Sequence, residues 1–527
     1  MSIKSVIANR PVPGSTNWLR WQIPIGAVPF IILAIVAPMN ARADEVVVPS
    51  TPASAPVKPI KQKKRAGAAR VSAPAASVAR IAAPAASAAH LDAIYGYKGW
   101  NIPFPSFADT VTQNAGGFRS ALADAGFGLT VLNAEVVQAN MLNTPREVPR
   151  TYPACNAVTR IGGICAGNQA YFGQSFGSMY QMMPFLTYDL GRVGLTGGQL
   201  AVGANVNSAT NENSLPNGAR FSTLSWYQPL FDGKLEAKVG WFSTSYEVIG
   251  TFVAGNFTSP FGASASIPAE LGLAAGSLGA PAVRLKWNIS NSFYNQFLVQ
   301  RSFPVNGPTG NPIYDEFQSN GVGLNFNSPI KGTGVLYLDE VGYQTPALPG
   351  EPSTWVRLGA MYNTSEFRDL SQLATAGTKA GVPGFYLLAD RQLWQQDPSS
   401  AATAYRGIYV GGTAMYTPPE TAAFYQYYEG RLYWIGPFNS RPQDMISLVY
   451  YHNEISGHLA DFVNSFGSVT RIGANQSTNT IVGAYTAKLA PGVTASLGVS
   501  YTDHPSVSYF RGEGSAMNVI GCLFVFF

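Results

Sequence analysis

GQSFG, Gly173 to Gly177, has the spacing of a nucleophile elbow. That motif needs a serine on a sharp strand-to-helix turn, with an acid and a histidine downstream in a buried site. The surrounding QAYFGQSFGSMYQMMPF offers no apolar core strand before it and no amphipathic helix after it. In a chain with 54 glycines the match is near what chance supplies, and no catalytic residue is assigned. The four histidines, His90, His452, His458 and His504, form no metal-ligand spacing. No P-loop or dinucleotide fingerprint occurs, so neither metal nor cofactor is expected. Cys155 and Cys165 bracket the polar, Gly-containing CNAVTRIGGIC, where an oxidising compartment favours a disulfide that staples a loop. Cys522 is expected to stay a free, buried thiol.

The charged residues that could act on a solute stand in alternating runs. In PAVRLKWNIS, Val283, Leu285, Trp287 and Ile289 share one face, and Arg284, Lys286 and Asn288 share the other. KLEAKVGWF sets Leu235, Ala237, Val239 and Trp241 against Glu236 and Lys238. STWVRLGAMYN sets Val356, Leu358, Ala360 and Tyr362 against Arg357 and Asn363. Period-two alternation of this kind is a strand between two different environments. The candidates for a watery inner face are Glu236, Lys238, Arg284, Lys286, Arg357, Asp390 and Glu429. Arg284 and Lys286, two cations on one polar face, are the first choice for a constriction, where they would favour anions and be screened by salt. Asp339 and Glu340 are adjacent, so at most one of them faces inward.

The elements that position these residues are short strands. Turn signals such as Asp232-Gly233, Ser328-Pro329, Lys331-Gly332 and Pro491-Gly492 separate the runs, and longer polar stretches such as Asn205 to Gly218 read as loops. Only 12% of residues are charged, about half the share usual in soluble proteins, while Phe and Tyr together number 55. Many runs end on Trp, Tyr or Phe, as aromatic girdles at a membrane interface do. The chain itself ends NVIGCLFVFF, with Phe527, Val525, Leu523, Gly521, Val519 and Met517 on one face. A terminal Phe with apolar residues alternating behind it is an assembly signal for outer-membrane insertion, and in lipid the backbone must close on itself. The opposite face, Phe526, Phe524, Cys522 and Ile520, is apolar as well and calls for an inward-folded loop to cover it.

Arg10 and Arg20 precede the apolar run Ile23 to Val36, and Ala41-Arg42-Ala43 follows: a secretory signal peptide over residues 1–43. Residues 44–93 are rich in Pro, Ala and Ser and read as a disordered basic tether, with residues 94–527 forming the barrel. The formal charge of +5 comes from the front of the chain. Residues 1–43 hold four basic and no acidic residues, and residues 44–93 hold seven basic and three acidic. The remainder is therefore slightly acidic, which argues against nucleic acid as a partner. The cluster Lys61, Lys63, Lys64 and Arg65 suits contact with an anionic surface such as the cell wall.

GGFRSALADAGFGLTVLNAEVVQANML (Gly116 to Leu142), DLGRVGLTGGQLAVG (Asp189 to Gly203) and YQPLFDGKLEAKVGWF (Tyr227 to Phe242) resemble successive blocks of the OprB family of carbohydrate-selective porins. FVAGNF, VLYLDEVGY, WVRLGAMYNTSEF, GFYLLADRQLWQ and GPFNSRPQDMISLVYYHNEIS are similar to later blocks, in order, with an Arg-Pro-x-Asp turn at Arg441 to Asp444. ANQSTNTIVGAYTAKLAPG departs from the family, lacking the glutamates usual in that strand. The resemblance implies an all-β, monomeric, transmembrane antiparallel barrel of about sixteen strands in the bacterial outer membrane. Its expected partners are membrane lipid and the barrel assembly machinery, and its expected solutes are monosaccharides such as glucose. Two alternatives stand beside this: a plugged, structural barrel that docks a periplasmic partner, and a channel for other small solutes such as organic acids.

Overall fold

The computed structural model describes residues 88–101, 106–142, 176–210, 215–249, 266–275, 278–308, 310–465, 472–503, 508–510 and 515–527. The expected signal peptide, most of the tether, and Cys155 and Cys165 lie outside the described residues.

Sixteen antiparallel strands close into one barrel. The first eight are β1 Phe127–Asn140, β2 Phe176–Asp189, β3 Gln199–Ala209, β4 Gly218–Leu230, β5 Leu235–Phe242, β6 Ala280–Asn288, β7 Phe293–Arg301 and β8 Val335–Thr345. The rest are β9 Thr354–Arg368, β10 Thr378–Gln395, β11 Gly407–Tyr416, β12 Phe424–Ile435, β13 Met445–Ile455, β15 Ser477–Ala490, β16 Val493–Thr502 and β18 Ala516–Phe526. β14 Ile472–Ala474 and β17 Ser508–Phe510 pair separately as a two-stranded sheet. β18 pairs with β1, so the C-terminal end of the chain closes the cylinder. Phe527 takes part directly: its N–H donates to the Val131 carbonyl at 2.9 Å, and Val131 returns the bond at 3.0 Å. Closure satisfies the edges that an open sheet would leave bare in hydrocarbon. No helix among the described residues is long and apolar enough to cross a membrane.

Two aromatic belts ring the outer face. Phe127 against Tyr188, Phe293 against Tyr343 and Trp394 against Trp434 mark the rim with the tight turns. Exposed Tyr337, Tyr362, Tyr416, Tyr428, Tyr450 and Tyr501 mark the other. Short turns face the periplasm and long loops the exterior in barrels of this kind. The β4–β5 turn is among the tight ones, with Phe231, Asp232 and Gly233 all left-handed.

Two details depart from the sequence reading, and one, at GQSFG, agrees with its rejection of a nucleophile elbow. The polar stretch from Asn205 is not all loop: β3 runs to Ala209, with Asn205 and Asn207 buried on the inner face. A strand can be this polar when its inner face meets amides and water. Phe176 and Gly177 of the elbow-like GQSFG open β2, a strand rather than a strand–turn–helix. Finally, helix α1, Ala88–Tyr95, starts five residues before the tether's expected end at Ala93. It is held because Leu91 and Tyr95 bury against Phe107 and Ala123, the latter on α2, Phe118–Asp124.

Candidate functional site

The described residues between β5 and β6 (243–249, 266–275 and 278–279) fold into the barrel. They carry two short helices, α3 Ser245–Val248 and α4 Ser266–Glu270. Val248, Ile249, Ile267, Leu271 and Leu273 of this segment pack on Leu298, Leu336, Leu338, Met361, Phe367 and Leu388 from the inner faces of β7 to β10. Burial of that apolar area supplies the drive to fold inward. Polar side chains from the wall satisfy the loop's backbone. Arg357 donates to the Ile249 carbonyl at 2.6 Å, Asn363 to Leu271 at 2.6 Å, and Gln300 to Gly272 at 3.0 Å. Gly272 must be glycine: its φ is +83°, and a Cβ there would lie 2.1 Å from the Ser302 hydroxyl.

The register of β5 to β12 lays the charged residues in a band around the inner wall. Glu236 pairs with Lys286 and Lys238 with Arg284 across β5 and β6. The Lys238 ammonium is ion-paired with Glu247 of α3, and also donates to the Tyr97 hydroxyl and the Lys98 carbonyl, both at 3.0 Å. Arg284 lies 3.3 Å from the same Glu247 and 3.5 Å from Glu236, and donates to Gln296 at 3.0 Å. Its guanidinium is therefore enclosed rather than free, at 1% exposure.

Next comes Glu340, which takes the inner face while Asp339 takes the outer one beside the Asn295 amide, 2.9 Å away. Glu340 accepts from Tyr294 at 3.0 Å, Gln296 at 2.6 Å and Tyr386 at 2.7 Å. Both tyrosine rings lie where a neighbouring strand has glycine. A Cβ on Gly342 would sit 2.0 Å from the Tyr294 ring, and one on Gly359 would sit 2.0 Å from the Tyr386 ring. Arg357 stacks 3.8 Å over Trp355.

Farther round, Asp390 and Glu429 converge on Arg431, a residue not singled out from the sequence. Arg431 donates to Asp390 at 2.9 Å and to Thr413 at 2.8 Å, and also to Glu429. The group crosses Gly411, where a Cβ would lie 2.2 Å from the Asp390 carboxylate. Arg431 could have been found from its parity, two residues beyond Glu429 in the same strand. Glu247 could not, because it stands in a loop with no periodicity to show its side.

Lys286 differs from these. Its ammonium makes no hydrogen bond or ion pair among the described residues, and lies 4.6 Å from the centre of the Tyr294 ring. It is half-buried, as are Glu236 and Tyr227 nearby on the same wall. The described residues contain no cluster of metal-ligating side chains.

This geometry matches a known family. Residues 133–515 fit the family described as carbohydrate-selective porin, OprB family. Porin B of Pseudomonas aeruginosa is 26% identical over 242 residues, which is 44% of this chain and 49% of that protein. The match thus spans about half the length of this curated relative. The structure of Pseudomonas putida OprB at high pH superposes with a TM-score of 0.64 at 16% identity, covering 80% of this chain and 98% of that one, a likeness of fold. The sixteen strands and the match over most of the chain agree: the chain belongs to the OprB family of carbohydrate-selective porins, and is a porin-type barrel of the bacterial outer membrane, not an enzyme.

Proposed function

We propose that this porin lets small neutral sugars, monosaccharides such as glucose, diffuse into the periplasm. The observation that carries the reading is Lys286. Lys238, Arg284, Arg357 and Arg431 each donate to protein acceptors, whereas Lys286 makes no hydrogen bond among the described residues. Glu236 stands across from it in register, with the Tyr227 and Tyr294 rings on the same wall. A donor, an acceptor and ring faces are what a sugar's hydroxyls and C–H faces can use. Two or three such contacts bind weakly, as passage requires.

Glu236, Lys286, Lys238, Arg284, Arg357, Asp390 and Glu429 then divide the work. The first two meet solute, and the other five fix the wall and the loop that narrow the path. The terminal Phe527 serves insertion by the assembly machinery, and the basic cluster from Lys61 to Arg65 touches the cell wall.

Liposome swelling with reconstituted protein tests the reading. Monosaccharides should enter readily and larger oligosaccharides slowly. Faster entry of organic acids than of neutral sugars would give the channel to anions instead, since an unpaired lysine also suits a carboxylate. No swelling with any solute would favour a plugged barrel that docks a periplasmic partner.

A further inference from the structure

The segment Tyr95–Asn101 precedes the barrel in sequence, yet it runs inside it. The Thr187 hydroxyl on β2 donates to the Tyr95 carbonyl at 2.8 Å, and the Gln199 amide on β3 donates to Gly96 at 2.8 Å. At its other end the Asn101 N–H donates to the Tyr246 carbonyl of α3 at 2.9 Å. The chain therefore bridges from the wall at β2 and β3 to the loop that narrows the lumen. Trp100 wedges between Phe185 of the wall, 5.5 Å between ring centres, and Tyr246 of the loop, 4.7 Å.

In the middle of this strap the backbone lies on the buried ion pair. Gly99 has φ +107°, and a Cβ there would come within 2.9 Å of the Lys238 ammonium and 3.0 Å of the Glu247 carboxylate. Two of the three acceptors of Lys238, the Tyr97 hydroxyl and the Lys98 carbonyl, come from the strap. A buried ammonium needs several acceptors to offset its lost hydration. Without the strap, Lys238 would keep Glu247 alone as an acceptor, and α3 would lose its contacts with Trp100 and Asn101.

We propose that residues Tyr95–Asn101 are a positioning element of the permeation path: they hold α3, and with it Glu247, against Lys238 and Arg284 of the wall, at the depth that sets the bore. Tyr97, Gly99 and Trp100 are the residues through which the strap acts. The proposal rests on the channel reading above, and on a part of the chain that lies before the residues matched by the family.

The test is single-channel recording of the full-length porin and three variants in planar bilayers. Folding is monitored for each by the heat-modifiable migration of the barrel. Trp100→Ala opens the wedge and should raise conductance roughly two-fold, with weaker block of the ion current by added glucose, because flux follows the width of the constriction. Gly99→Ala should disturb the ion pair and give noisy, multi-level openings. Tyr97→Phe keeps the ring and removes one acceptor, and should give a smaller change of the same kind as Gly99→Ala. A folded Trp100→Ala or Gly99→Ala barrel with wild-type conductance, noise and glucose block would overturn the proposal. A wild-type barrel that does not conduct would instead overturn the channel reading, so the two failures are distinguishable.

Discussion

At the seam where β18 meets β1, the inner wall is made of Ile520, Cys522, Phe524, Ala134 and Val136, with Leu215 from the β3–β4 connection packed on it. Along β5 to β12 the inner wall carries Lys238, Arg284, Glu340, Arg357, Asp390, Glu429 and Arg431. The two regions face the same lumen and are both buried, yet they are stabilised in opposite ways. The seam gains from removing apolar surface from water, which needs no particular partner. The charged wall is costly unless each ion meets a counter-ion and each remaining lone pair a donor. Lys238, Arg284, Asp390, Glu429 and Arg431 meet counter-ions, while Glu340 and Arg357 are held by neutral donors and a backbone carbonyl, and glycines let side chains lie flat on a neighbouring strand. Stability at the seam is thus diffuse, while stability at the charged wall depends on a few residues.

The largest effect should come from breaking a pair. Arg431→Ala leaves Asp390 and Glu429 facing each other without their cation, and should cost about 3–5 kcal/mol. Urea unfolding in detergent micelles measures this. Cys522→Ser, the corresponding polar change at the seam, should cost about 1–3 kcal/mol, since one buried hydroxyl is left without a partner. A seam variant as damaging as the Arg431 variant would erase the contrast.

Next in size is a change that adds one carbon. Gly359→Ala collides with the Tyr386 ring and pulls its hydroxyl from Glu340. Overpacking of this kind should cost about 1–3 kcal/mol. Gly430, on β12, has open space where a Cβ would go, so Gly430→Ala is the control and should be nearly neutral.

The loop itself should show a pH dependence. Glu270 at the end of α4 accepts from the Phe424 amide, and burial pushes its carboxyl up from the ordinary 4.5 to about 8. A raised value means that the docked loop holds the proton more tightly than the free one does. Docking is therefore strongest below the ordinary carboxylate value and weakens as pH climbs toward about 8. Thermal unfolding followed across that range should show stability falling with rising pH in the wild type, with a smaller slope for Glu270→Gln. Equal slopes would remove Glu270 from the account.

The strands were legible in the sequence because lipid on one side and water or amides on the other impose a period of two. Arg284 and Arg357 could be put on the inner face by counting from Trp287 and Leu358. Glu340 could not be separated from Asp339 by charge, only by sharing parity with Leu336 and Leu338, which pack under the loop. At the seam the alternation was silent, because both faces of β18 are apolar. Tyr97, Glu247 and Tyr246 were invisible for a different reason: they stand in irregular segments, and their positions follow only from where those segments enter the barrel. The ion pairs were equally hidden, since Arg431 and Asp390 are 41 residues apart.

The central claim is that Lys286 meets solute in a conducting path while the other luminal cations hold the wall. Single-channel current in planar bilayers, with and without added glucose, compares the wild type with Lys286→Gln. The account predicts that glucose partly blocks current in the wild type, and that Lys286→Gln weakens the block and lowers anion preference while the barrel stays as stable as before. A Lys286→Gln channel with unchanged block and unchanged selectivity would contradict it.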